Sequence, residues 1–422
     1  MDNNNNNNDF EREAVPESQK KSVISIMMVW TGYVFVVTSM IAGGGLTNIL
    51  TMKEIVIVMI LGNIFLSLIA IGMSYIASKT GLTFALITRY SFGNQGSRIV
   101  SLFSPIVNLG WYIVQSAVYG SMIAQIFKLG STGELVAMAL SAMVMGIIAL
   151  IGFEALNTLG LVSIPAIIFL CIASAMRATM EADGGMDYII NVVPKNPGTL
   201  SDGLMIVIGT WIFSVSTAVA DIMRYAKSLK HAVISAVFSL IIGNSLLIGC
   251  GAIAAAATGQ ADLPALLISM GLVIPGIILL TTNIFTTNGT NLYSNALALS
   301  NVFRNVDRKI IFYGMILFAM VMTLLRPNRI DVFFVFLNVL SIIIPALPGI
   351  IFVDFYYFNK AQYPKLSEAD AKQIRWSAVI SWIIATVLTF FIKWGFQPLN
   401  GIVMGALIYF IFNSVALKMK KE

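Results

Sequence analysis

Charged residues are scarce in this sequence. Asp, Glu, Lys and Arg make up only 11% of the 422 residues, whereas 58% are hydrophobic and the mean hydropathy is +0.86. Apolar runs of about 20 residues, long enough to cross a hydrocarbon core as a helix, recur from one end of the chain to the other. The composition therefore predicts an all-α polytopic membrane protein and excludes an ordinary soluble fold.

Cysteine, histidine and charge at depth are also in short supply. Cys171 and Cys250 lie inside apolar runs, which argues against a disulfide framework and predicts two small buried side chains. The lone His231 lies at the edge of a run, and four acids lie at the ends of runs: Glu154, Asp202, Asp221 and Asp354. A proton-coupled carrier normally has a titratable relay at mid-depth. No Asp, Glu or His is predicted at mid-depth here, which favours Na⁺ over H⁺ as the coupling ion. For the same reason the substrate is expected to carry no net positive charge, because nothing would pair with it.

Twelve apolar runs are predicted to be transmembrane helices. Their ranges are 22–43, 54–78, 98–127, 134–153, 156–176, 203–222, 232–257, 264–288, 309–325, 331–353, 375–394 and 399–417. Nineteen of the 26 Lys and Arg residues lie in the termini or in the connections on one side of the membrane, and seven lie on the other. By the positive-inside rule both termini are cytoplasmic. The net charge of +6 therefore reflects topology rather than nucleic-acid binding.

The segments outside these runs are short. Residues 1–21 are polar and low in complexity, lack the apolar core of a signal peptide, and are predicted to be a disordered cytoplasmic tail. Residues 418–422 are predicted to be a second cytoplasmic tail. The longest external connection, 177–202, is expected to form a gate or a short lid.

Two of the predicted spans contain helix-breaking residues at corresponding places. The first span carries Gly32 and the glycines at 43–45, and the sixth carries Gly209, Thr210, Ser214, Ser216 and Thr217. Broken helices five spans apart indicate a transporter built from inverted repeats, with its binding site at the membrane midplane. The alternative is that the glycines only permit close contacts between helices.

The segment TNIFTTNGTNLY, residues 282–293, places amides and hydroxyls inside an apolar run. On a helical wheel five polar residues fall within about 140° of arc: Asn283, Thr286, Thr287, Thr290 and Asn291. This face avoids lipid, where each unsatisfied polar group costs several kcal/mol. Its oxygens suit a desolvated Na⁺, together with carbonyls freed at a broken helix. The alternative is hydrogen bonding between helices, worth about 0.6 kcal/mol per pair.

Two tryptophans lie deep in predicted spans. Trp111 is well inside the third span, and Trp211 is beside the predicted break of the sixth. Since tryptophan prefers the membrane interface, each is either packed core or a stacking wall for an aromatic ring. Stacking of a base on an aromatic side chain contributes about 1–3 kcal/mol, and an amide such as that of Asn288 suits recognition of the base edge.

Four stretches make the chain resemble the cytosine permease branch of the nucleobase–cation symporter family. They are KTGLTFALITRYSFGNQGS (79–97), NLGW (108–111), VADIMRY (219–225) and TNIFTTNGTNLY (282–293). The resemblance implies a five-plus-five inverted repeat of the leucine-transporter type with two extra C-terminal helices. The implied transporter domain covers residues 22–417. Within it, repeat one covers 22–176, repeat two covers 203–353, and the additional helices lie in 375–417.

The resemblance also implies the binding residues. In that family a Na⁺ lies between the first and eighth helices, and its ligands match backbone carbonyls and hydroxyls of Gly32, Phe35, Asn283, Thr286 and Thr287. The substrate ring is expected between Trp111 and Trp211, with Ser214 and Asn288 at its edge. Asn108 stands where cytosine permeases tend to have glutamine, and IFSVSTA, which follows Trp211, departs from the usual pattern.

These observations predict secondary active import of cytosine, or a closely related neutral nucleobase, across the cytoplasmic membrane by Na⁺ symport and alternating access. The alternative is the same fold with hydroxymethylpyrimidine, a purine, a hydantoin or allantoin, or with proton coupling. An enzyme would need a catalytic constellation and a channel a symmetric polar ring; neither is visible, and no cofactor is predicted. Asp221 and Arg224, at i and i+3, are predicted either to form part of a cytoplasmic gate or to be a solvated ion pair.

Overall fold

The computed structural model describes residues 13–151, 153–260, 268, 271–303, 306–364 and 373–419. Within these residues the regular structure is helical and no β-strand is formed. The helices of the first half are α1 (Val23–Val34), α2 (Val37–Leu46), α3 (Met52–Thr80), α4 (Phe84–Phe92), α5 (Gly96–Ile126), α6 (Gly130–Ile151), α7 (Phe153–Glu181) and α8 (Gly185–Ile190). The helices of the second half are α9 (Leu200–Ser216), α10 (Ala218–Met223), α11 (Leu229–Phe238), α12 (Ser245–Thr258), α13 (Val273–Val302), α14 (Arg308–Thr323), α15 (Ile330–Ile343), α16 (Ala346–Phe352), α17 (Trp376–Phe391) and α18 (Gln397–Lys418).

Helix occupies each predicted span, and the bounds agree to within five residues except in the eighth. That span was predicted to end at 288, but α13 continues to Val302 because its inward amides, Asn291 and Asn295, are buried in the protein. Six helical segments among the described residues are long and apolar enough to cross a membrane, with Leu229–Thr258 and Ile330–Phe358 each counted as one segment. The number is seven if α1 and α2 count as one bent span. Three shorter apolar helices lie in the ranges of α9, α14 and α17.

Both expected helix breaks are present, but neither is at a glycine. Helices α1 and α2 are bent by 50°, and the residues between them are Phe35 and the extended Val36 (φ −119°, ψ 136°). Helices α9 and α10 meet at Thr217 (φ −129°, ψ −76°). Gly32 lies inside α1 and Gly209 inside α9. The glycines therefore indicated the correct spans but not the break points, whereas Thr217, also named in the sixth span, lies at its break.

The glycines permit close helix packing instead. Helices α2 and α12 cross at Gly43 and Gly251, where the backbones touch. A Cβ on Gly43 would lie 2.1 Å from the carbonyl oxygen of Ile248, and one on Gly251 would lie 2.1 Å from that of Met40. Gly209 faces the backbone of α15 in the same way. The alternative interpretation, close helix contact, is the correct one for these glycines.

Gly251→Ala is expected to lower the free energy of unfolding by about 1–3 kcal/mol, the usual cost of overpacking, because a backbone carbonyl has no rotamer with which to yield. Gly249→Ala is the matched control on the same helix, since the nearest atom to its Cβ would be the Met59 sulfur at 3.9 Å. Thermal unfolding of both variants in one detergent provides the measurement. Equal melting temperatures would contradict the close-contact interpretation.

The predicted N-terminal tail is packed where the structure describes it. Val15 is buried, and its amide donates to the carbonyl of Gly81 (3.0 Å). Val15 therefore anchors the described part of this tail to the α3–α4 connection, while most of its neighbours are exposed. Residues 1–12 lie outside the described part of the chain.

The scarce residue types have two different environments. Both cysteines are buried and form no disulfide, and the described residues contain no group of three His, Cys, Asp or Glu suited to a metal. Asp354, expected at the end of a span, is fully buried in a π-helical turn, Val353–Phe358. The hydroxyls of Tyr409 (2.7 Å) and Tyr363 (3.0 Å) donate to its carboxylate. This contact joins α18 to the end of the tenth span.

Candidate functional site

Segments of α1, α2, α5, α9 and α13 line a small cavity of about 40 Å³ beside the break of the first span. Every lining residue is uncharged: Tyr33, Val36, Thr38, Asn108, Trp111, Gln115, Thr210, Trp211, Ser214, Thr287 and Asn291. The structure thus brings together four of the five predicted substrate residues, namely Asn108, Trp111, Trp211 and Ser214.

The two tryptophans reach the cavity from different helices and are held by different contacts. Phe336 and Phe333 of α15 pack nearly perpendicular to the Trp111 ring, with centroid distances of 5.1 and 6.1 Å. Trp211 is held by hydrogen bonds instead: its indole N–H donates to the hydroxyl of Ser39 (3.1 Å) and the side-chain carbonyl of Asn244 (2.9 Å). Both indoles are nearly buried, as packed core and a stacking wall both require, and both line the cavity.

Tyr33 adds a third ring that sequence reasoning missed. Its ring stacks on Trp30 (5.5 Å, 11° between planes) and meets Trp211 edge-on (5.9 Å, 63°). It occupies the last turn of α1, two residues before Phe35 at the break. The only sequence signal was its position next to Gly32 in the first span.

Gln115 is the most informative residue that the sequence analysis missed. It lies one helical turn after Trp111 on α5, lines the cavity and is 3% exposed. Its side-chain carbonyl oxygen has no hydrogen-bond partner among the described residues. An unpaired buried acceptor costs about 1–3 kcal/mol, which a ligand donor would recover. The i, i+4 spacing from a mid-span tryptophan was the signal that could have identified it.

Asn288 lies outside the cavity lining. Its amide nitrogen donates to the backbone carbonyl of Tyr112 (3.2 Å) and contacts the hydroxyl of Ser116 (3.1 Å), both on α5. Further along α13, Asn295 donates to the carbonyl of Pro105 (3.1 Å). These two amides hold α13 against α5, whereas Asn291 lines the cavity. The amides of α13 therefore include both helix–helix contacts and a cavity residue.

Asn283 bridges the break of the first span. Its amide nitrogen donates to the carbonyl of Phe35 (3.3 Å), and its side-chain oxygen accepts the amide of Val37 (3.3 Å). The amide of Val36 donates to Val34 (2.8 Å) rather than to Gly32, four residues back. A single side chain on α13 thus replaces hydrogen bonds that the interrupted helix lacks. The predicted ion-binding elements, the break and α13, are in direct contact.

The remaining predicted ion ligands lie along α13. The hydroxyl of Thr287 donates to the backbone carbonyl of Asn283 (2.8 Å) and lines the cavity. Thr287 therefore lies one helical turn after Asn283, on the face of α13 that borders the cavity. The side chain of Thr286 lies outside the described part of the structure.

The predicted gate residues lie at the C-terminal end of the sixth span. The carboxylate of Asp221 accepts the first amide of α4, that of Phe84 (2.8 Å), which is a favourable partner for a helix N-terminus. Arg224 is 5% exposed, lies over the Tyr225 ring (4.6 Å) and donates to the hydroxyl of that ring (3.0 Å). Asp221 thus joins α10 to the N-terminus of α4 while its side chain stays exposed, whereas Arg224 is buried.

Sequence comparisons agree with the geometry. The profile of the permeases for cytosine/purines, uracil, thiamine and allantoin matches residues 14–412. The cytosine permeases of Escherichia coli K12 and Escherichia coli O157:H7 are each 31% identical to the chain over 408 residues, which cover 97% of this chain and 95% of theirs.

Solved structures share the fold. The inward-facing conformation of Mhp1 superposes with a TM-score of 0.82 at 18% identity, covering 97% of this chain and 95% of Mhp1. The closed conformation of Mhp1, described as a nucleobase-cation-symport-1 family transporter with bromovinylhydantoin bound, gives 0.75 at 18% identity over 97% and 96% of the two chains. At this identity the likeness establishes a common helical architecture.

Proposed function

Since this chain belongs to the family of permeases for cytosine/purines, uracil, thiamine and allantoin, we propose that it imports cytosine, or a closely related neutral nucleobase, together with Na⁺. The family and both bacterial relatives are permeases, which confirms the prediction of a membrane transporter rather than an enzyme. The relatives of known substrate are cytosine permeases, and this favours cytosine among the substrates of the family.

The observation that carries the proposal is the uncharged cavity between Trp111 and Trp211. A neutral planar ring stacks on indole faces without leaving a buried charge unpaired. The carbonyl of Gln115 suits an exocyclic amino group or a ring N–H, and the amides of Asn108 and Asn291 suit both ring donors and acceptors. A cationic substrate would find no carboxylate in this lining.

Na⁺ coupling completes the proposal. The proposed ligands are the backbone carbonyls of Gly32, Phe35 and Asn283 and the hydroxyls of Thr286 and Thr287. Support comes from the interrupted helix, which frees carbonyls, and from the contact of α13 with that interruption. Oxygen ligands without formal charge suit a monovalent hard cation.

We further propose twelve spans in the cytoplasmic membrane with both termini in the cytoplasm. The two repeats, 22–176 and 203–353, would carry the two broken helices, and the helices within 375–417 would be additional. Support comes from the paired breaks and from the bias of Lys and Arg towards one side. Alternating access would expose the cavity to each side in turn, with Asp221 and Arg224 at the cytoplasmic gate.

Uptake of radiolabelled cytosine into proteoliposomes tests the function. Under an inward sodium gradient uptake is expected to exceed the level at equilibrated sodium, and a sodium ionophore should abolish the difference. A protonophore is the control for proton coupling. Cytosine uptake that ignores the sodium gradient would overturn the coupling, and no uptake of any neutral ring would overturn the function.

A second substrate class, the hydantoins, is favoured by the bromovinylhydantoin bound to Mhp1. Hydantoins are also neutral, planar rings that present donors and acceptors at one edge. Thermal-shift measurements with cytosine, uracil, hypoxanthine, hydroxymethylpyrimidine, allantoin and a hydantoin, with and without Na⁺, separate the candidates. The physiological ring is expected to stabilise the protein more in Na⁺ than in K⁺, because linkage between two ligands is reciprocal.

A further inference from the structure

A chain of buried amides runs from Trp211 away from the cavity. The indole N–H donates to the carbonyl of Asn244 (2.9 Å), whose amide donates to the carbonyl of Asn63 (2.7 Å), whose amide donates to the hydroxyl of Ser245 (2.8 Å). Asn244 and Asn63 are both 0% exposed. The indole is a donor only, so its N–H fixes the orientation of Asn244, and Asn244 in turn fixes that of Asn63.

The backbone of the seventh span aims Asn244 at Trp211. A π-helical turn, Ser239–Asn244, separates α11 from α12, and such turns are frequent at functional sites. The turn also touches the break of the first span: the hydroxyl of Ser239 lies 2.8 Å from that of Thr31. At its other end a Cβ on Gly243 would lie 2.7 Å from the ring of Phe35. Trp211, the π turn and the break therefore form one packed unit.

Rotation of the indole would break this chain at its first link. The carbonyl of Asn244 would then lose its donor in a fully buried site, where an unsatisfied group costs more than a hydrogen bond contributes. Ser39, on α2 just beyond the break, accepts the same N–H (3.1 Å) and would lose it too. The network thus restricts the indole to one plane.

We propose that Asn244 and Asn63 are positioning residues, which hold the Trp211 indole as a rigid wall of the substrate cavity. The inference rests on the proposed function, because it takes the space between Trp111 and Trp211 as the site of the ring. Neither Asn244 nor Asn63 lines the cavity, and the segments that carry them supply no lining side chain. Both residues would therefore act on the site through Trp211. A pre-oriented wall lowers the entropy lost when a planar ligand stacks on it.

A double-mutant cycle tests the positioning role. Asn244→Leu is expected to raise the Kd for cytosine about tenfold, within the range for residues of one hydrogen-bond network. Trp211→Phe retains an aromatic face and removes the N–H, so adding Asn244→Leu to it is expected to change Kd less than about twofold. A full effect of Asn244→Leu in the Trp211→Phe background would overturn the proposal.

Two further variants separate positioning from general stability. Asn63→Ala keeps the direct bond to Trp211, so its effect on Kd is expected in the same direction and smaller; no effect would remove Asn63 from the network. Asn400→Leu is the matched control, a buried amide on α18 that donates to the carbonyls of Ile392 (3.1 Å) and Trp394 (2.6 Å). It should lower the melting temperature and leave Kd unchanged; a raised Kd would mean that any lost buried amide weakens binding.

A measurement without substrate keeps this inference separate from the proposed function. The chain has six tryptophans, so ¹⁵N spectra should contain six indole N–H signals, and Trp211→Phe identifies the one of interest. Asn63→Ala and Asn244→Leu are expected to shift that signal and speed its hydrogen exchange, whereas Asn400→Leu should leave it in place. If the Trp211 indole signal is unchanged in both variants, the hydrogen-bond network is contradicted even if cytosine binds. If the signal shifts, the network is supported even if no ring binds.

Discussion

Trp111→Ala is expected to weaken cytosine binding about 5- to 150-fold at saturating Na⁺, because loss of base stacking costs about 1–3 kcal/mol and each 1.4 kcal/mol is tenfold in Kd. The effect should be near the upper end, since Trp111 is only 9% exposed and its stacking surface is desolvated. Phe333 and Phe336 hold the indole at the cavity wall. The Trp111 side chain therefore loses little conformational entropy when a ligand stacks on it.

Equilibrium binding of radiolabelled cytosine to purified protein measures this loss. Trp111→Phe should recover most of the affinity, because a phenyl ring still stacks. Trp394→Ala serves as the control at an 81% exposed tryptophan and should leave Kd unchanged. An unchanged Kd in Trp111→Ala, with the protein correctly folded, would show that this tryptophan is packed core rather than a wall of the site.

Thr287→Ala is expected to weaken Na⁺ binding roughly tenfold or more, since contacts with a charged partner contribute about 1.5–3 kcal/mol. The hydroxyl of Thr287 lies 2.8 Å from the carbonyl of Asn283, whose side chain bridges the break at Phe35. Removing that hydroxyl takes one proposed oxygen ligand from the ion and leaves the bridge of the break intact. The loss should therefore affect sodium dependence more than folding.

Cytosine affinity measured across a series of Na⁺ concentrations checks this expectation. Thr287→Ala should need more Na⁺ to reach the same substrate affinity and approach the parent protein at high Na⁺, as reciprocal linkage requires. Thr287→Ser retains the hydroxyl and should behave as the parent. A shift that persists at all Na⁺ concentrations would place Thr287 in substrate binding alone. Trp111→Ala, by contrast, should lower cytosine affinity at every Na⁺ concentration, and saturating Na⁺ should not restore it.

Much of the site could be anticipated from residue types. Trp111 and Trp211 attracted attention because tryptophan is unusual at depth, and both line the cavity. Gln115 escaped notice because its one signal is its i, i+4 spacing from Trp111, and a single glutamine near the middle of a long helix is otherwise not distinctive. Asn288 was predicted to face the ring, but the structure places it against α5. Residue type alone does not distinguish an amide that faces α5 from one that faces the cavity. The angular difference between Asn288 and Asn291 acquires meaning only once the neighbours of α13 are known.

The sequence by itself determined the class of protein, because apolar length and the bias of basic residues depend on the membrane and not on which helices meet. It also determined which two spans are broken. Only the tertiary structure decided where they break. The interruption at Phe35 and Val36 is stable because the Asn283 side chain, 246 residues further along than Val37, supplies the missing hydrogen bonds. Positions 43 and 251 require glycine because another backbone lies against each of them. Such contacts join residues far apart in the chain, so no local pattern encodes them.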